Sequence, residues 1–76
     1  MIISGVLFET LPGRAGAVAI RLAHIDGLEI TGTDGNSKLA AVWRGKDGRE
    51  LEQQADSLLK SETEILGIYP TFVGTE

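Results

Sequence analysis

His24 is the only histidine in the chain, and cysteine is absent. The side chains that usually act near neutral pH as proton shuttles, thiolate nucleophiles or soft-metal ligands are thus reduced to one candidate. His24 falls near the end of a helical stretch, where a capping role at a helix C-terminus accounts for it. The acidic residues are scattered singly and form no His/Asp/Glu set at ligand or acid–base spacing. One loop could hold an anion: in L-P-G-R-A-G (11–16) the glycines would allow close backbone approach, and Arg14 would add charge at a helix N-terminus. With no second basic residue beside it, this loop reads as a turn into a helix with a solvated arginine. R-G-K-D-G-R (44–49) reads as a charged turn, and Trp43 as a core residue. No catalytic residue, metal ligand or cofactor is assigned, and the expectation is a protein that binds rather than catalyses.

The chain has 76 residues and a formal net charge of −4. That is enough for one domain, 1–76, with a single shared core. Seven Lys and Arg residues are interleaved with acids, unlike the basic face of a nucleic-acid binder. M-I-I-S-G-V-L-F-E is too short an apolar run for a membrane span and lacks the basic start of a signal peptide. Together with the missing cysteines, this points to a cytoplasmic protein without membrane association. A negative balance keeps a small domain soluble and mildly favours a cationic partner.

The elements follow from hydrophobic periodicity. Ile2 to Glu9 reads as a strand rich in Ile, Val, Leu and Phe. Ala15, Val18, Leu22 and Ile25 form a helical stripe, with Pro12 near its first turn and Gly27 at its exit. Leu28 to Thr33 alternates as a second strand, and Asp34-Gly35-Asn36 marks a hairpin into a third, S-K-L-A-A-V-W-R. Asp47 and Glu50 have the spacing of a capping box, opening a second helix that runs to about Lys60. Ile65 to Val73, interrupted by Pro70, closes the chain as a fourth strand. Strand, helix, strand, strand, helix, strand is the ferredoxin-like α+β pattern. Right-handed crossovers give an antiparallel sheet of order 4-1-3-2 with both helices on one face, and Pro70 then falls on an edge strand.

That arrangement leaves the other face of the sheet without a layer. Alternation puts Leu39, Ala41 and Trp43 inward on the third strand, and Lys38, Ala40, Val42 and Arg44 outward. On the second, Leu28 and Ile30 point inward, with Glu29, Thr31 and Thr33 outward. On the fourth, Leu66, Ile68 and Phe72 are assigned to the core, with Gly67, Tyr69 and Thr71 outside. The first strand admits either parity; assigning Val6 and Phe8 inward puts Gly5 and Leu7 on the open face. The result is a shallow surface with a small apolar centre and a charged rim, suited to a visiting helix or sheet.

Ile3-Ser4 opening the first strand, Gly27-Leu28-Glu29-Ile30 after the helix, Lys38-Leu39 beginning the third strand and the final I-L-G-I-Y strand resemble the NapD family over nearly the whole chain. Its members are cytoplasmic assembly chaperones of the periplasmic nitrate reductase. The resemblance implies binding of the twin-arginine signal peptide of that molybdoenzyme's catalytic subunit, or a related one, delaying export until cofactor insertion. The peptide would lie as a helix across the open face, over Gly5, Leu7, Glu29, Thr31, Lys38, Ala40, Val42, Gly67, Tyr69 and Thr71, with Glu9 and Glu29 meeting its arginines. A second reading is an ACT-like small-molecule sensor, a homodimer joined through the sheet face or edge, with Gly27 and its turn lining an amino-acid site.

Overall fold

The computed structural model describes residues 1–75. The elements are β1 (Ile2–Thr10), α1 (Ala15–Leu22), β2 (Leu28–Thr33), β3 (Lys38–Gly45), α2 (Gly48–Ser61) and β4 (Ile65–Thr75). The strands form one antiparallel sheet in the order β2-β3-β1-β4. This is the expected 4-1-3-2 order read from the opposite edge, so the fold is ferredoxin-like α+β, and β4 with its Pro70 is an edge strand. Among the described residues no helix is long and apolar enough to cross a membrane.

One core joins the elements. Phe8, Leu39, Val18 and Leu22 are essentially inaccessible, and Ala41, Trp43, Leu28, Leu51, Leu58 and Ile65 complete the buried cluster. Phe8 and Trp43 meet as a tilted pair with ring centroids 6.2 Å apart, within the range of favourable aromatic contacts. The parity assigned to β1 holds: Val6 and Phe8 are buried under the helices.

The turns carry most of the local hydrogen bonding. Asp34 Oδ1 accepts from the backbone N–H groups of Asn36, Ser37 and Lys38 at 2.8–3.0 Å, closing the β2–β3 hairpin around Gly35, whose φ is +75°. Those bonds, led by the one from Asn36, hold the Asp34 carboxyl below its ordinary range. Asn36 then braces the start of α1: its Oδ1 accepts from Gly13 N (2.7 Å) and its carbonyl from Ala15 N (3.0 Å). At α2, Asp47 caps the helix by accepting from Glu50 N at 2.9 Å. Glu50 turns its own carboxylate to Gln54 Nε2 (3.3 Å) rather than back to Asp47, so only half of the expected capping box forms.

Two sequence expectations about helix α1 are corrected. Pro12 lies in a turn before the helix, closed by Arg14 N donating to Leu11 O at 3.1 Å. The helix ends at Leu22, and Ile25 reaches the core from the following turn instead. The cause is the approach to β2. Gly27 takes φ +82°, and its carbonyl accepts from Arg44 N at 2.7 Å, which fixes the chain before Leu28. Arg14 is solvent-exposed as expected but also paired: its Nε donates to Glu64 Oε2 at 2.5 Å, while Arg21 bridges Glu62 (2.8 Å) and Glu64 (2.7 Å). These contacts tie α1 to the α2–β4 connection. Hydrogen bonds from Arg14 and then Arg21 hold the Glu64 carboxyl below the usual carboxylate range, and Glu62 followed by Glu64 raises the Arg21 pKa.

Two outcomes are expected. A Cβ at position 27 would stand 2.5 Å from the Arg44 carbonyl oxygen, and positive φ is itself unfavourable for alanine. Gly27→Ala should therefore cost at least about 2 kcal/mol, read as a fall in Tm of roughly 10 °C. Glu64→Gln should destabilise the protein above the ordinary glutamate value of 4.5. A depressed folded-state pKa stabilises fully above the unfolded value and is lost as pH falls through the folded one. Wild type and variant should thus converge in urea melts taken at progressively lower pH below 4.5.

Candidate functional site

The face of the sheet away from the helices is built by the pairing register. Residues directly opposite on antiparallel strands share a face. Across the strands, Gly32, Ala40, Leu7 and Tyr69 make one row, and Glu29, Val42, Gly5 and Phe72 the next. Lys38, Glu9 and Gly67 lie beyond the first of these, and Arg44, Ile3 and Gly74 beyond the second. At ordinary sheet spacings the surface is about 14 Å across the strands and about 20 Å along them, wide enough for one helix about 10–12 Å in diameter.

Its centre is apolar and low. Ala40 is exposed, Ile3, Leu7 and Val42 are half-buried, and Tyr69 and Phe72 expose 51% and 55% of their surface. Both aromatic rings lie over strand glycines. A Cβ on Gly5 would run into the Phe72 ring and the Thr71 hydroxyl, and one on Gly67 into the Tyr69 ring. The rings thus occupy the places where side chains are missing, an aromatic cover over strand glycines. An ion pair across the face, Lys38 Nζ to Glu9 Oε2 at 3.9 Å, is long and solvent-exposed.

Gly5, Leu7, Glu29, Lys38, Ala40, Val42, Gly67 and Tyr69 all occupy these rows. Thr31 and Thr71 are the extra residues of two β-bulges, at the register shifts between Ile30 and Gly32 and between Gly5 and Val6. Each bulge resets the alternation beyond it, which corrects the sequence assignment in two places. Phe72, assigned to the core, lands opposite Gly5 on the open face. Thr33, assigned outward, lands opposite Leu39, a core residue, and its hydroxyl donates to Lys38 O at 2.8 Å. A third irregularity, between Glu9 and Thr10, leaves Leu66 without a partner and 56% exposed, and not in the core. Ser4 supports the bend at Thr71: its buried hydroxyl donates to Phe72 O at 3.2 Å.

Periodicity alone missed Phe72 and Ile3 as members of this face. Pro70 was the available signal, since proline inside a strand marks an edge or a bulge where parity can change.

The remaining candidates stay apart from this surface. His24 is exposed in the turn after α1, and no group of three or more His, Cys, Asp or Glu side chains comes together among the described residues. Trp43 is 2% exposed and belongs to the core. What the open face offers is non-covalent: apolar burial in two central rows, with carboxylates and cations at the rim.

Because the Phe72 ring lies over Gly5, ring current should move the Gly5 Hα resonances upfield, and Phe72→Leu should return them to ordinary positions. Gly5→Ala should displace the ring at a cost below about 1 kcal/mol, because an exposed side chain can swing away. No family model, no curated protein and no solved structure matches the chain, so its functional reading rests on this surface.

Proposed function

We propose that this chain is a chaperone that binds the twin-arginine signal peptide of a molybdoenzyme catalytic subunit, such as a periplasmic nitrate reductase, on the open face of its sheet. One observation carries the reading: two adjacent rows of apolar side chains, centred on Ala40, Leu7, Val42 and Phe72, lack a covering layer of their own. Small side chains at the centre suit close approach of a helix, as small residues do wherever backbones pack tightly. The apolar part of the leader would lie on those rows, and its export-signal arginines would meet Glu9 and Glu29. Lys38 already faces Glu9, but an exposed pair of this kind contributes only about 0.2–1 kcal/mol, so an arriving arginine can replace it. Occupying the face would keep the leader from the export machinery while the client folds in the cytoplasm.

The test is a titration of labelled protein with a synthetic twin-arginine leader, following backbone amide shifts. Shifts should cluster on Leu7, Thr31, Ala40, Val42 and Tyr69. Ala40→Glu, at an exposed position, should weaken binding at least tenfold with Tm within about 3 °C of wild type, as expected for a surface substitution. Val42→Asp should act likewise at a larger cost in stability, Val42 being half-buried. Higher salt should weaken binding severalfold if the arginines pair with exposed carboxylates. Leaders that leave the spectrum unchanged, together with a dimer that responds to amino acids, would replace this reading with the homodimeric sensor.

A further inference from the structure

On the helix side of the sheet, α2 leaves the far end of β4 uncovered, and a crevice of about 370 Å³ opens between them. The bulge at Thr71 shapes it. Beyond that bulge Val73 falls opposite Ser4, and before it Pro70 falls opposite Val6, so both β4 residues turn toward α2. The facing positions are small, with Ser4 on β1 and Ala55 on α2 lining the gap. Val6, Leu51, Leu59, Ile68 and Val73 supply apolar walls. Leu59 is 39% and Val73 67% exposed at the rim. The Ser4 hydroxyl has spent its proton on carbonyls of the sheet.

The mouth is charged with one sign. Glu52 and Asp56, one turn apart on α2, both line it, whereas no lysine or arginine does. Neither carboxylate has an ion-pair partner among the described residues. The volume lies at the lower end of the range for small-molecule sites and is less than a single turn of a helix about 10 Å across would fill. Apolar walls select an alkyl or aryl body, and the carboxylates select a positive head left at the surface. We infer that the α2–β4 crevice is a binding site for a small amphiphilic cation, an alkyl- or arylalkylammonium ion, on the side of the sheet opposite the open face.

The test compares octylammonium, octanol and octanoate, each below its micelle concentration, by fluorescence of Trp43, the sole tryptophan and a lining residue, and by amide shifts. Octylammonium should change Trp43 emission and shift Ser4, Leu51, Ala55 and Val73. It should bind about two- to fivefold more tightly than octanol, the gain expected of exposed carboxylates, and octanoate should be weaker again. Ala55→Leu should fill the gap and abolish binding. The surface variant Glu52→Lys/Asp56→Lys, which leaves the core untouched, should reverse the order so that octanoate binds best. Equal affinities for the three probes, an unreversed order in the lysine variant, or shifts confined to Leu7, Ala40 and Tyr69 on the open face would each overturn the assignment.

Discussion

Everything distinctive about this protein depends on one constraint: two helical crossovers place both helices on the same side of a four-stranded sheet. A chain of this size can form only one core, so Phe8, Leu39 and Trp43 are sealed beneath α1 and α2 while the opposite surface has no layer of its own. Strand alternation then forces every second residue of β1 and β3 into that surface. Were Leu7, Ala40 and Val42 polar, the arrangement would be an ordinary half-solvated sheet. Their apolar character makes the uncovered face an apolar surface instead.

The irregularities of the edge strands work within that frame. A register shift near Thr71 moves Phe72 out of the core and onto Gly5, and brings Val73 round to the helix side opposite Ser4. One extra residue therefore shapes both surfaces at once, adding an aromatic ring to the open face and opening the apolar crevice under α2. At the other edge, the shift at Thr31 brings Gly32 opposite Ala40, which keeps that row low. Bulges and Pro70 also interrupt β4, an uncharged edge that would otherwise invite pairing with another strand.

The rigidity behind these surfaces is polar and lies in the connections. Asn36 links the β2–β3 hairpin to the start of α1, and Arg14 and Arg21 hold the α2–β4 connection through Glu62 and Glu64. Each pair is solvent-exposed and individually weak. Their value lies in where they join: α1 is short, and its two ends are tied to segments distant in sequence, which limits how far it can shift over the sheet.

The sequence by itself determined the order of elements, the parity of β3, the Asp47 cap and the hairpin at Asp34-Gly35-Asn36. These depend on interactions within a few residues or on a strict period of two or 3.6, so the pattern is written locally. It also made the open face legible, because Ala40 and Val42 break the polar pattern expected of an exposed strand surface. Only the tertiary structure decided the end of α1, the partners of Arg14 and the side on which Thr33, Leu66 and Phe72 fall. The Arg14–Glu64 contact spans 50 residues, Gly27 is held by the main chain of β3, and a bulge exists only relative to the strand beside it. Those are long-range pairings, and the local period that places a side chain along one strand carries no information about a register shift against its neighbour.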